Sequence, residues 1–342
     1  MKLAVLLFNL GGPDGPAAVQ PFLFNLFNDP AIIRLPVPLR WLVAKLISKR
    51  RAPVAAEIYA KMGGRSPILP NTKAQAEALA ARLQDVAETK CFIAMRYWHP
   101  FMKDTIRDIK KFAPDQVIML PLYPQYSTTT SASSLQQARD IFRQHDPHVK
   151  LKTVCCYPTE DGFIQAMAES TRTAYEAAKA HGTPRILFSA HGLPEEIVKA
   201  GDPYQWQCEQ TTAALVKALA IPGLDYTLCY QSRVGPLQWI GPATDDEVRR
   251  AGHDKVPLIV VPIAFVSEHS ETLVEIDQEY RHLATEHGVP HYAYVPTVGT
   301  APDFIGGLEK LVRNALADRR PCLSQSGERI CPLQYNGCGY LT

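Results

Sequence analysis

His191 and Glu271 are the residues of this chain best placed to move protons or hold a cation. His191 closes the strand-like stretch of RILFSAHGLP, and Glu271 lies in LIVVPIAFVSEHSETLVEID. Each comes after a short apolar run and a turn, and such runs read as parallel strands buried on both faces. Open α/β sheets collect ligands outside the carboxyl ends of their strands. Gly192 and Pro194 fix a tight turn that would expose the His191 ring at such a crevice. An imidazole there can accept a proton or bind a metal ion. Glu268, Glu271, Glu275 and Glu279 follow at spacings of three and four, which aligns carboxylates on one helix face beside His269. Like charges so spaced repel, so the stripe makes sense as a cation or proton path; a solvated acidic face is the bland alternative.

A second group of residues is aromatic and amide-rich. YQSRVGPLQW supplies Tyr230, Gln231, Ser232, Arg233 and Trp239, and Phe265 comes from the next strand end. In the first half, RYWHP adds Arg96 and Tyr97, and YPQYS adds Tyr123 and Tyr126. Aromatics and arginines gathered at strand ends suit a flat apolar ligand with acidic substituents. The opening NLGGPD lacks the spacing of a dinucleotide fingerprint, so no nucleotide is expected. Residues 31–51, AIIRLPVPLRWLVAKLISKRR, form a basic amphipathic segment. It reads either as an ordinary surface helix or as one resting on a membrane surface.

These residues need a frame to hold them. Strand-like runs fall at 2–8, 91–97, 116–122, 150–156, 185–190, 224–230, 256–262 and 290–294. Helical periodicity fills 71–87, 101–112, 131–145, 159–181, 203–219, 268–287 and 301–317. That alternation predicts two α/β halves, each with a four-stranded parallel sheet. The halves echo each other: VIMLPLYPQYSTTT aligns with LIVVPIAFVSEHSE, setting Ser127, Thr128 and Thr130 opposite Glu268, His269 and Glu271. The 342 residues suit about two domains of roughly 150 residues. A net charge of +2 does not favour a nucleic-acid partner. The apolar run after Lys2 ends at Asn9, too short for a secretory signal. The longest apolar stretch, 256–267, is too short to span a bilayer. A cytoplasmic protein with reduced thiols is expected, membrane-associated if residues 31–51 rest on a bilayer.

Taken together, NLGGPD, MRYWHP, LYPQYS, SAHGLP, YQSRVGP and PIAFVSEHSETLVEID resemble the ferrochelatases, lyases that insert Fe(II) into protoporphyrin IX to make haem. The resemblance implies two Rossmann-like domains, residues 1–150 and 151–299. A helix at 300–320 returns to the first, and residues 321–342 form a cysteine-containing tail. It implies that His191 and Glu271 are catalytic and meet the metal, and that His269, Glu275 and Glu279 form a proton or metal path. Leu10, Tyr97, Tyr123, Gln231, Ser232, Trp239 and Phe265 would line the porphyrin pocket, with Arg96 orienting the substrate. Fe(II) and the porphyrin are then substrates. A non-catalytic porphyrin or haem carrier is the rival reading, as is a chelatase for coproporphyrin or another divalent metal.

Some ferrochelatases hold a 2Fe–2S cluster on four cysteines, mostly C-terminal. Here Cys322, Cys331 and Cys338 lie in a tail rich in Gly, Pro and polar residues, with Cys156 or Cys155 as the fourth ligand. Strand alternation sends those two side chains to opposite faces, and Cys156, nearer the strand end, is preferred. Zinc or a reduced tail are the alternatives.

Overall fold

The structure is a computed structural model describing residues 1–340 apart from Val234 and Pro236, so two positions of the YQSRVGP block lie outside the described residues. The strands are β1 (Lys2–Asn9), β2 (Glu88–Met95), β3 (Gln116–Pro121), β4 (Lys150–Val154), β5 (Arg185–His191), β6 (Asp225–Gln231), β7 (Leu258–Pro262), β8 (Tyr292–Tyr294) and β9 (Cys322–Leu323). They form two sheets, in the orders β2-β1-β3-β4-β9 and β6-β5-β7-β8, with every pairing parallel. The first sheet therefore has five strands where four were expected. The fifth, Cys322–Leu323, pairs with Thr153 and Val154. Two residues between Pro321 and Ser324 are too few to carry an alternation signal.

Apolar content explains the central strands. Leu3 to Phe8 of β1 and Ile186 to Phe188 of β5 are at most 1% exposed, because helices cover both faces. The helices are α1 (Val19–Phe27), α2 (Val37–Ala60), α3 (Ile68–Arg82), α4 (Met102–Phe112), α5 (Ser131–His145), α6 (Asp161–Ala178), α7 (Glu195–Lys199), α8 (Tyr204–Leu219), α9 (Thr244–Asp254), α10 (Tyr280–Glu286) and α11 (Pro302–Ala317). Residues 31–51 were expected as one segment. Instead α2 starts only after Pro36, with Pro38 in its first turn, where a missing N–H costs nothing, and runs on to Ala60.

Between β7 and α10 lies a feature that periodicity did not reveal. Glu271–Glu279 is a π-helix, its last turn closed by the Tyr280 N–H donating to the Glu275 carbonyl. π-Helical turns are rare and occur mostly at functional sites.

Buried polar side chains tie the two halves together. Gln75 on α3 donates to the carbonyls of Val266 (2.7 Å) and Gly299 (2.9 Å) and accepts from Ser267 Oγ (2.9 Å). Gln125 donates to Thr211 Oγ1 (2.9 Å) and the Ile263 carbonyl (3.0 Å). Asp202 accepts from Ser127 Oγ (2.9 Å), Thr128 N (2.7 Å) and Thr128 Oγ1 (2.6 Å). So Ser127 and Thr128, which the internal echo set opposite Glu268 and His269, are spent on domain contact. A satisfied buried amide specifies one geometry, because any slip strands a donor or acceptor away from water.

Candidate active site

β5 delivers His191 to the crevice, and the register sets it beside Gln231 at the carboxyl end of β6. The turn must be tight, since Gly192 N–H donates to the Gln231 carbonyl at 2.8 Å. A Cβ at Gly192 would lie 2.9 Å from that oxygen and 3.1 Å from Trp239 Cε3, so only glycine fits. The His191 Nδ1 lies 2.7 Å from the Gly192 carbonyl. A carbonyl can only accept, so Nδ1 carries a proton and Nε2 is the nitrogen left for chemistry.

That Nε2 lies 3.8 Å from Glu271 Oε1. His269 repeats the arrangement: its Nδ1 meets the Ser267 carbonyl at 3.1 Å, and its Nε2 lies 3.7 Å from Glu271 Oε2. Gln75 holds that same loop through Val266 and Ser267. Glu271 thus sits between two imidazole nitrogens, at separations too long for direct hydrogen bonds. Its Oε2 is buried and has no hydrogen-bond partner among the described residues. Burial by itself raises the carboxyl pKa. The facing imidazoles, when protonated, outweigh it and lower the value from its ordinary 4.5 to about 2. A carboxylate with an unpartnered oxygen, set between two open imidazole nitrogens, can take up protons or a cation.

The acidic row continues outward unevenly. Glu275 accepts from Ser232 N (2.9 Å), Ser232 Oγ (2.5 Å), Gln231 Nε2 (3.3 Å) and Tyr280 Oη (2.9 Å). Burial first, and then the Glu271 charge, push its pKa upward. Gln231 Nε2 also reaches the Glu271 carbonyl (3.3 Å), while its Oε1 accepts from Ser189 Oγ (2.8 Å). The polar groups of Gln231 and Ser232 therefore support the carboxylates. Glu279 is half exposed and pairs with Lys61 at 3.5 Å, at the end of α2. Glu268 leaves the expected row altogether. It accepts from Thr272 Oγ1 (2.5 Å), Tyr294 Oη (2.6 Å), Thr297 N (2.8 Å) and Thr297 Oγ1 (3.1 Å). It precedes the helix, so helical spacing does not govern where it points.

The aromatic residues flank this core from both halves. Phe265 packs on the His269 ring at 4.6 Å between centroids. Trp239 bridges to Pro194 through the backbone, and its buried Nε1 has no hydrogen-bond partner among the described residues. Leu10, Tyr97 and Trp98 pack together with Phe22 and Tyr59 of α1 and α2. Burial pushes the Tyr123 hydroxyl well above its ordinary pKa. Arg96 and Tyr97 follow the end of β2 and share a partner that sequence reasoning missed. Asp29 Oδ2 accepts from Arg96 Nη2 (2.7 Å), Arg96 Nε (2.9 Å) and Tyr97 Oη (3.0 Å). Nothing in the local Asn-Asp-Pro turn announces that contact, 67 residues away.

Residues 2–316 match the ferrochelatase family model. The chain is 53% identical over 340 residues to the ferrochelatase of Caulobacter vibrioides, covering 98% of this chain and 97% of that one. The ferrochelatase of Phenylobacterium zucineum is 54% identical over 341 residues, covering 99% and 98%.

The chain belongs to the ferrochelatase family.

It is accordingly a lyase that inserts metal in haem biosynthesis, with a porphyrin and ferrous iron as its substrates. Among solved structures, the sirohydrochlorin chelatase SirB from Bacillus subtilis, determined with cobalt, superimposes with a TM-score of 0.53. It covers 93% of this chain and 97% of that one at 12% identity, a likeness of fold. Among the described residues, no helix of this ferrochelatase is long and apolar enough to cross a membrane.

The matched segment ends at residue 316, and the cysteine-bearing tail follows it. Cys155 and Cys156 lie just past β4, and their Sγ atoms are 3.5 Å apart. The expectation that they face opposite ways fails because the pleat ends at Val154. Cys322 donates to the Gly339 carbonyl (3.3 Å), and Gln207 Nε2 donates to Cys331 Sγ (3.1 Å). A hydrogen bond from Cys331 favours the Cys338 thiolate and lowers that thiol to about 6. The tail is clamped to the body: a Cβ at Gly339 would lie 2.1 Å from the Tyr126 ring. Among the described residues, no group of three or more His, Cys, Asp or Glu side chains is arranged as a metal shell.

Proposed function

We propose that this protein inserts Fe(II) into protoporphyrin IX, releasing two protons to form protohaem. The observation carrying this reading is the Glu271 carboxylate, its Oε2 buried and without a hydrogen-bond partner among the described residues, with His191 Nε2 near Oε1 and His269 Nε2 near Oε2. The reaction exchanges two pyrrole N–H protons for one metal ion. His191 Nε2, freed by the Nδ1 contact to Gly192, takes a pyrrole proton. Glu271, held as carboxylate, attracts both Fe(II) and the departing protons. His269, Glu275 and Glu279 lead outward to solvent at Lys61. Leu10, Tyr97, Tyr123, Phe265 and Trp239 line the macrocycle, with Gln231 and Ser232 beneath the acidic row. Bending the ring to expose its nitrogens costs ~1–5 kcal/mol, drawn from binding along these walls. A carrier would need the walls but not the carboxylate row. The test is anaerobic Fe(II) insertion assayed with protoporphyrin and coproporphyrin side by side. Binding without turnover on either would overturn this reading.

Residues 1–150 and 151–299 act as two Rossmann-like domains around the cleft, with 300–320 returning to the first. The tail holds a 2Fe–2S cluster. Cys155 and Cys156 interact with each other and with the tail cysteines Cys322, Cys331 and Cys338, four of the five are buried, and such clusters take four thiolates. Cys322, Cys331, Cys338 and one of the adjacent pair, Cys156 in preference, would hold it. The protein purified without oxygen is then reddish. Cys331→Ser or Cys338→Ser should remove the colour and lower Tm by several degrees, read by visible absorption and thermal melting. A colourless, iron-free and fully active wild type would refute the cluster alone.

The protein is cytoplasmic and rests on the membrane surface through α2. That helix exposes Val37, Leu39, Trp41, Leu42 and Leu46, with Lys45 over the Trp41 ring and Lys49, Arg50 and Arg51 beside them. Each cation would add about 1 kcal/mol of attraction to anionic lipid. Reversing Lys49, Arg50 and Arg51 to Glu should weaken binding to phosphatidylserine liposomes at least tenfold in low salt. Unchanged binding in co-sedimentation would assign α2 to an ordinary surface.

A further inference from the structure

We infer that Asp29 determines which porphyrin the site prefers, by cancelling the charge of Arg96 so that this wall accepts an apolar edge of the macrocycle. The inference deepens the proposed function and rests on it. An arginine at the carboxyl end of a strand, in a site for an acidic flat molecule, looks like a carboxylate clamp. Its hydrogen bonds are already committed. Arg96 Nε and Nη2 both donate to Asp29 Oδ2, at 2.9 and 2.7 Å, and Nη1 donates to Gln137 Oε1 (2.6 Å) and the Ser133 carbonyl (3.2 Å). The Arg96 and Asp29 side chains are 13% and 5% exposed, so the pair is neutralised where solvent screens it little.

Asp29 is itself held rigidly. Its Oδ1 accepts from Ala31 N at 2.9 Å, and its carbonyl accepts from Ile32 N and Ile33 N. The surrounding cluster of Leu10, Leu26, Phe27, Tyr97 and Trp98 is apolar and aromatic. A substrate carboxylate brought here would shed its water and meet the Asp29 carboxylate without gaining a free guanidinium fork. A vinyl edge would meet no such cost. A dicarboxylic porphyrin has such an edge, whereas a tetracarboxylic one has propionates on both sides. The wall therefore favours the dicarboxylic substrate.

The experiment compares Kd by fluorescence quenching, and KM and kcat by anaerobic metallation, for protoporphyrin and coproporphyrin. In Asp29→Asn the guanidinium keeps its place on Gln137 and Ser133 but loses its counter-charge. The preference for protoporphyrin should then fall at least about tenfold, through Kd and KM for coproporphyrin with kcat little moved. Asp29→Glu, which keeps the charge, should hold the wild-type ratio, and Asp29→Asn with Arg96→Leu should return towards it. Arg96→Leu alone leaves Asp29 uncancelled and should sharpen discrimination against coproporphyrin, which decides the matter if Asp29→Asn fails to fold. Equal effects on both porphyrins, or a shift that persists without Arg96, would overturn the inference. Wild-type protein that binds porphyrin without metallating it would overturn the enzymatic reading, while the Kd ratios still test Asp29.

Discussion

His191→Ala should lower the rate of metal insertion by a hundred- to ten-thousandfold while porphyrin binding changes little. The direction follows from the tautomer: the Gly192 carbonyl fixes the proton on Nδ1, so Nε2 is the one open nitrogen that β5 delivers to the crevice. The scale is that of one well-placed general base. On the proposed reading, porphyrin affinity resides in the apolar and aromatic walls, which the truncation leaves intact. Binding is read by quenching of porphyrin fluorescence, and turnover by anaerobic haem formation. Near-wild-type turnover in a folded His191→Ala protein would remove the base from this position.

Glu271→Gln should be the second large effect, on the order of a hundredfold in kcat, the scale of losing one preorganised electrostatic partner. Glu279→Gln should cost only a few-fold. The two differ by environment: Glu271 is enclosed between His191 and His269, whereas Glu279 is half exposed beside Lys61, where solvent and salt screen its charge. Equal effects would mean a diffuse field rather than a site. Glu271 also has a pH signature. Its folded pKa, about 2, lies below its ordinary 4.5, so its ionised form stabilises the fold above about pH 4.5. That contribution fades as pH falls toward 2. Urea midpoints of wild type and Glu271→Gln should therefore converge on acidification through that window.

The same pair marks how far local sequence carries. A strand of RILFSAH followed by Gly-Leu-Pro dictates a buried strand, a tight exit and an exposed imidazole, all from residues adjacent in the chain. LIVVP followed by a run of carboxylates likewise fixes that Glu271 follows a strand end. Buried strands and their crossover helices were legible for the same reason: burial on both faces imposes an apolar run that four or five residues suffice to display. Periodicity failed where a different local geometry took over. Glu268 obeys the i,i+3 rule in sequence but precedes the helix, and its partners Tyr294 and Thr297 lie beyond β7 and the π-helix.

Sequence by itself determined the nearly complete set of strands and the strand ends that carry His191 and Glu271. Tertiary structure decided their state. That Glu271 is an orphaned anion depends on His269 arriving beside it, which depends on Gln75 from the other half holding Val266 and Ser267. That the Cys155 and Cys156 Sγ atoms lie 3.5 Å apart depends on where β4 stops, at its pairing with the two-residue β9. That Arg96 is a cancelled charge depends on Asp29, 67 residues earlier. Residue type and local period encode burial, because burial is a property of each short segment. Charge, tautomer and availability depend on which distant group occupies the next 3–4 Å, and only the folded chain brings that group there.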